Sequence, residues 1–516
     1  MYTGGGKFEF SGFKVEDVRK EILGLRNDKK GSGPFPTKIL KLAVDEYVYA
    51  LTDCFNEALN SNSFPDELKM ADIIPIHKKG PTTDKCNYRP ISLLPTLSKV
   101  FERLIAKQVG SYMEPHLSKF LCGFRKGYSS QHALLSMLRN WQNCLNKSGK
   151  VGALLMDLSK AFDCLPHDLL IAKLEAYGFG IKSVRFLFSY LRHRKQRVKI
   201  SSILSEWLEV LAGVPQGSVL GPILFNIFIN DIFFSVHSSS ICNFADDNTL
   251  FVCDETLDEV LRRLNLDIGN IVNWFNHNAM VANPDKFQLF IPRHQSNSLS
   301  VKVASVTILN SEVVKLLGVY IDAKLCFNSH VREMCKRVSQ KTRALARIRC
   351  FLNQGKADVL FNSFILSHFN YCPLIWMFCD KSSHQLINTT HRRALSVKHN
   401  NFSLRDCNFL SHLNLNSLHQ RNLLYLVTEV YKSLHCIGPS LMWSNFQVNS
   451  HSYSLRRGIN VKIPRVYNNL GLNSFDVRSA QAWNHLSDHV KSASTVNEFN
   501  RLASKSNIYC RCTLCC

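Results

Sequence analysis

The chain has 516 residues, 45% of them hydrophobic, with 63 Lys and Arg against 40 Asp and Glu and a net charge of +23. That length exceeds what one core supports, so two to four domains are expected, and the apolar content excludes a largely disordered chain. A surface this basic favours a polyanionic partner. Composition alone leaves open whether that partner is nucleic acid or an anionic membrane. No apolar run approaches the roughly 20 residues of a spanning helix, so a soluble, intracellular chain is expected.

A Gly-rich tip, "TGGGK", precedes a predicted helix through "VEDVRKEILGL", which the loop "NDKKGSGPFP" ends. A second helix is predicted from Pro36 to Leu59. "ADIIPIHKKG" reads as a short strand running into a basic turn, "NYRPISLL" as extended chain around Pro90, and "LSKVFERLIAKQV" as a helix. Val151 to Met156 is a continuous apolar run, as in a fully buried strand, and it ends on Asp157. "HDLLIAKLEAYG" has helical spacing with Gly178 as its C-cap. "GVPQGSVLGPILFNIFINDI" reads as a Gly/Pro-bounded loop and then a helix.

"ICNFADDNTLFV" is strand, polar turn and strand. The helix through "TLDEVLRRLNLDIGNIVNWF" opens on a capping-box pattern, Thr256 and Glu259, and carries one apolar stripe from Leu257 to Phe275. "KLLGVYID" reads as one further strand. In "SHVREMCKRVSQKTRALARI" an apolar side from Val331 to Leu345 opposes a face crowded with Lys and Arg, which a merely solvated helix would also show. Beyond Phe351 the pattern is mostly helical. The 18 cysteines are scattered, as small buried hydrophobes in a reducing compartment would be. The terminal "YCRCTLCC", with Cys510, Cys512, Cys515 and Cys516, reads as an unstructured tail rather than a metal site, because closed zinc sites usually pair their ligands across a longer loop.

Asp246 and Asp247 alone are ordinary turn residues. Asp157 changes that reading, because a strand end and a neighbouring hairpin tip can bring three carboxylates together. Such a cluster carries raised pKa values unless divalent cations neutralise it. Oxygen-only ligands select Mg²⁺ or Mn²⁺, and two such ions form a clamp for in-line phosphoryl transfer.

Seven blocks in one order then carry a resemblance: "NYRPISLLPTLSKVFERLI", "GFRKGYSSQHALL", "LLMDLSKAFDCLPHDLLIAKLEAYG", "GVPQGSVLGPILFNIFINDI", "NFADDNTLF", "WFNHNAMVANPDKFQLF" and "KLLGVYID". The chain resembles the reverse transcriptases of non-LTR (LINE-like, jockey/CR1-type) retrotransposons. The resemblance implies an α+β right-hand polymerase with fingers, a palm built on an antiparallel sheet and a helical thumb, followed by a mostly helical C-terminal region. It implies an N-terminal helical extension over 1–60, fingers and palm over 61–290, primer grip and thumb over 291–350, and a C-terminal region over 351–516.

The implied site residues follow by position. Asp157 and Asp246 would bind both metal ions, Asp247 would support them, and the Leu158 carbonyl would complete the coordination. Phe162 would exclude a ribose 2′-OH, although a ring after a strand is also ordinary core. Lys78, Lys79 and Arg89 would hold the triphosphate, with Arg89 suited to a bidentate contact. Gln216 and Gly217 would approach the nascent pair, and Lys286 would protonate pyrophosphate. Leu317, Gly318 and Val319 would grip the primer. Arg125, Lys336, Arg337, Lys341 and Arg343 would contact nucleic-acid phosphates.

Implied partners are an RNA template, a DNA primer and dNTPs, and no membrane, with cytoplasmic synthesis, nuclear action and target-primed copying. Family members usually carry an endonuclease ahead of the polymerase, and residues 1–60 leave no room for one. The nuclease is therefore expected from a missing domain or in trans. Pro34 also stands where an acid is common. The alternative is a silent or domesticated nucleic-acid-binding remnant.

Overall fold

The computed structural model describes residues 7–27, 36–159, 161–294, 299–401, 416–443, 446–448 and 460–512. Pro34, the Gly-rich tip before Lys7, Cys515 and Cys516 lie outside them. The chain forms two compact units, each assembled from separated segments. One comprises Met1–Phe124, Leu158–Ser235 and Asn270–Asn283; the other Arg125–Asp157, Val236–Gly269 and Pro284–Cys516.

In the first unit β1 (Met70–His77) pairs antiparallel with β2 (Tyr88–Leu93) and parallel with β4 (Lys195–Ile200), numbering strands along the chain. The short strands β5 (Ile203–Leu204) and β6 (Leu208–Glu209) both pair with β4. In the same unit Phe101 of the helix Thr96–Met113 stacks on Phe55 at 4.3 Å and on Phe64 at 5.2 Å. Aromatic faces dominate this core, and each buries far more apolar area than an aliphatic side chain. The helix expected from Pro36 to Leu59 is two helices, Thr37–Leu42 and Val44–Asn60. Ala43 leaves helical geometry between them, at φ −97° and ψ 14°.

The second unit is organised on β3 (Lys150–Ser159), flanked by β8 (Asp247–Asp254) and β10 (Gln288–Phe290), with β7 (Ser240–Phe244) beyond β8. All three β3 pairings are antiparallel; its last residues, Leu158 and Ser159, fall in the first unit and pair there with β9 (Val281–Ala282). The strand therefore runs two residues past Asp157, because Val281 and Ala282 supply partners for Ser159 and Leu158. Val151, Ala153, Leu154 and Met156 are buried, as the apolar run predicts. Gly152 lies beneath the helix Leu257–His277, where a Cβ would come within 2.6 Å of Val260. The helix stripe is buried at Val260, Leu264, Ile268, Ile271 and Phe275. Only half of its capping box forms. Thr256 accepts from the Glu259 N–H, but the Glu259 carboxylate turns to Arg262.

"KLLGVYID" is not one strand. It is a hairpin of β13 (Val313–Leu316) and β14 (Val319–Asp322), turning at Leu317 and Gly318 with φ of 45° and 80°. Two consecutive positive φ values match the right-handed twist of the flanking strands, as in a type I′ turn. β11 (Ser300–Val303) and β12 (Val306–Leu309) form another antiparallel hairpin. The basic helix, Asn328–Ile348, buries Val331, Met334, Cys335, Val338, Thr342 and Leu345. Most of the remaining described chain is helical.

Candidate active site

Antiparallel register places Asp157 directly opposite Asp247. Like charges in that relation repel. Asp246 precedes Asp247 in the two-residue turn between β7 and β8, since Phe244 pairs with Asp247. Ala245 takes φ 59° there, at the position where a two-residue hairpin turn ordinarily uses glycine. Two buried asparagines brace the turn. Asn243 donates through Nδ2 to the Ala245 carbonyl at 2.7 Å and to Asn248 Oδ1 at 3.0 Å. Asn248 in turn donates to the Asp246 carbonyl at 3.4 Å.

The electrostatic consequence falls on Asp247. Asp247 is exposed at its surface, yet the surrounding protein displaces enough water to push its pKa up to about 6, with Asp246 and then Asp157 adding repulsion. Lys286 answers part of this charge, its Nζ lying 2.7 Å from Asp157 Oδ2. The three carboxylates are an oxygen-donor set that suits hard divalent ions. Asp157, Asp246, Asp247 and Lys286 are thus brought together within the second unit. Leu158 follows on the same strand with its side chain buried.

In the first unit Phe162 stacks on Phe225 at 4.3 Å and meets Phe124 edge-on at 5.7 Å. Its carbonyl accepts from the Val214 N–H at 2.9 Å, and Gln216 Nε2 donates to Asp163 Oδ1 at 2.8 Å. Phe162, Gln216 and Gly217 therefore belong to one stitched pair of segments. Lys78, Lys79 and Arg89 are exposed at one end of the β1–β2 hairpin, where Arg89 pairs with Ile76 and the Lys78 N–H donates to the Asn87 carbonyl.

Leu317, Gly318 and Val319 form the β13–β14 turn. Tyr371 donates its hydroxyl to the Leu317 carbonyl at 2.7 Å, and its ring closes over Gly318. Burial raises the Tyr371 pKa, with Asp247 among the neighbours adding to it, so this turn lies within electrostatic reach of the carboxylates. Lys336, Arg337, Lys341 and Arg343 are exposed on the basic helix, Arg337 pairing with Glu333. Arg125 lies over the Tyr128 ring at 4.2 Å.

Sequence reasoning missed four supporting residues: Asn243, Asn248, Tyr371 and Glu102. Polar residues inside an apolar hairpin were the available signal for the asparagines. Glu102 is fully buried, and its Oε2 accepts from the Val219 and Leu220 N–H groups just ahead of the helix Gly221–Ile229. A lone acid in "FERLI" gave no hint of that.

Residues 76–321 match the family model described as reverse transcriptase (RNA-dependent DNA polymerase). Over 404 residues the chain is 28% identical to a protein named a probable RNA-directed DNA polymerase from transposon BS of Drosophila melanogaster, covering 74% of this chain and 44% of that protein. A second relative, named for transposon X-element of the same fly, is 29% identical over 387 residues, 71% of this chain and 42% of its own length. The polymerase named for the mobile element jockey is 29% identical over 338 residues, 62% of this chain and 36% of that protein. The chain spans less than half the length of each of these curated relatives.

Proposed function

We propose that the chain is a reverse transcriptase of the non-LTR retrotransposon kind, an RNA-directed DNA polymerase copying element RNA into cDNA, because residues 76–321 match that family model and its curated relatives are named RNA-directed DNA polymerases of transposons. The observation that carries this reading is the opposed pair Asp157 and Asp247, with Asp246 beside them on a braced turn.

Asp157 and Asp246 would hold two Mg²⁺ or Mn²⁺ ions, with Asp247 and the Leu158 carbonyl in support. Such ions supply the charge that activates the primer 3′-hydroxyl and stabilises the leaving oxygen. The hydroxyl gives up its proton to water as its oxygen attacks the α-phosphorus of the dNTP; the bond from that phosphorus to the bridging α–β oxygen breaks, and pyrophosphate leaves. Lys286, which pairs with Asp157 in this structure, would donate a proton to that pyrophosphate. Lys78, Lys79 and Arg89 bind the triphosphate, and Phe162 excludes the 2′-OH that separates RNA from DNA precursors. Gln216 and Gly217 contact the nascent pair, while Leu317, Gly318 and Val319 hold the primer end.

Arg125, Lys336, Arg337, Lys341 and Arg343 track an RNA/DNA hybrid by its phosphates. Fingers and palm correspond to 61–290, primer grip and thumb to 291–350. Copying is target-primed and nuclear, with the nick made by an endonuclease activity outside these segments. Among the described residues no helix is long and apolar enough to cross a membrane.

Primer extension on poly(rA)/oligo(dT) with Mg²⁺ tests the proposal. Asp157→Ala and Asp246→Ala are each expected to slow extension about a thousand-fold. Failure of the wild-type protein to add dNMP with Mg²⁺ or Mn²⁺ refutes the activity. Wild-type rates in Asp246→Ala refute the site assignment alone.

A further inference from the structure

We propose that His419, Cys510 and Cys512 form a structural zinc site, separate from the carboxylate cluster, that fastens the end of the described chain to the helix Leu418–Leu434. The tail expected to be unstructured is packed as far as it is described, with Cys510 fully buried and Cys512 nearly so. One ligand atom from each of the three residues lies within 4.8 Å of the others, and Cys512 Sγ is 3.3 Å from His419 Nε2. Tetrahedral zinc, with bonds of about 2.3 Å to sulfur and 2.0–2.1 Å to nitrogen, sets its ligand atoms roughly 3.5–3.8 Å apart. Closing the cluster around an ion thus takes movements of about an ångström.

Both sides of the site are held independently. His419 sits in the first turn of a helix whose entry is fixed by a complete capping box between Ser417 and Gln420. The Cys-x-Cys segment is gripped by Arg478, which is itself buried and donates through Nη1 to the carbonyls of Cys510 and Arg511. Its Nη2 donates to Asn473 Oδ1 at 2.7 Å, fixing the guanidinium in turn. A buried guanidinium spent on two tail carbonyls holds the thiols in place, as a dangling tail would not require. The ring of His384 lies 5.9 Å from that of His419, adding a second imidazole beside the cluster.

The ligand chemistry distinguishes this site from the carboxylates. Two thiols and an imidazole select a borderline-soft ion such as Zn²⁺, whereas oxygen donors select Mg²⁺ or Mn²⁺. Three protein ligands leave the fourth position to water.

The test is metal content of the full chain, purified without chelator or a histidine tag, by inductively coupled plasma mass spectrometry. About one zinc per chain is expected, and cobalt exchange should give thiolate-to-metal charge-transfer absorption in the near ultraviolet. The double variant Cys510→Ser/Cys512→Ser should lose the zinc, and His419→Cys should keep it as a thiolate substitute. Zinc retention by His419→Cys separates loss of a ligand from loss of fold. A wild-type chain that neither contains zinc nor develops the cobalt band overturns the proposal, as does full zinc in the double serine variant. Neither readout depends on polymerase activity.

Discussion

Gly217→Ala is expected to damage both stability and polymerisation, because the residue occupies a backbone conformation and a space that only glycine fits. Its φ is +124°, and a Cβ there would lie 2.7 Å from the Ser92 carbonyl oxygen. That oxygen is backbone in β2 and cannot swing aside. The Gln216 carbonyl next door accepts from the Ser92 N–H at 2.8 Å, so the loop cannot back away without losing this bond. The strained φ costs about 2 kcal/mol and the overpacking about 1 kcal/mol, together about 3 kcal/mol. Gly269→Ala is the control: it lies in the helix Leu257–His277 with open space around its Cβ, and alanine there gains about 1 kcal/mol. At roughly 2–4 °C per kcal/mol for a domain of this size, Gly217→Ala lowers its unit's melting temperature by about 6–12 °C. Gly269→Ala raises its own by about 2–4 °C. Displacement of Gln216 should also lower kcat/KM for dTTP in the primer-extension assay at 20 °C, by about tenfold or more. Unchanged melting and extension in Gly217→Ala would refute the close approach from which both effects follow.

Asp247, with its pKa pushed up to about 6, binds a proton in the folded state where an unfolded aspartate has lost it, so folding is penalised as pH rises from about 4 through 6. A divalent ion removes that penalty, and Mg²⁺ should therefore raise the melting temperature more at pH 7.5 than at pH 5; equal shifts, or the same pH dependence in Asp247→Asn, would count against the cluster. Burial raises the Glu102 pKa against the opposing charge of Arg194 and the bonds from Val219 and Leu220. Glu102→Ala should cost about 3 kcal/mol in urea unfolding and Glu102→Gln much less, because the amide still accepts; equal losses would refute that role. Phe162→Val should increase rNTP incorporation relative to dNTP, measured by extension with each nucleotide alone, and an unchanged ratio would leave the ring as core.

The carboxylate cluster was legible because its components are local signals. A fully buried strand shows as the unbroken run Val151 to Met156, and an acid at its end stands out. An Asp-Asp pair between apolar strands marks a hairpin tip, and period-two register does the rest by setting Asp157 against Asp247. What stayed hidden depends on partners far along the chain. The interleaving of the two units leaves no mark in local composition. Glu102 and the Val219–Leu220 backbone are 117 and 118 residues apart, and the Cys510 carbonyl is claimed by Arg478 from 32 residues away. The hairpin within "KLLGVYID" was hidden for the same reason. Leucine at positive φ is locally disfavoured, and nothing nearby reveals the compensation supplied by Tyr371.

The turns at Ala245 and Leu317 share that logic. Each sets a non-glycine residue at positive φ, and in each the carbonyl of that residue accepts a side-chain hydrogen bond of 2.7 Å, from Asn243 or from Tyr371. One turn carries Asp246, and the other lies within electrostatic reach of Asp247. Backbone strain persists only where surrounding structure over-determines it, and it concentrates where chemistry requires a fixed geometry. Three carboxylates that repel one another would splay a relaxed hairpin. The braced turns oppose that force from the backbone side, as divalent cations would oppose it from the site. On the proposed function, the donors Asn243 and Tyr371 would therefore serve the cluster by holding these turns, without touching substrate.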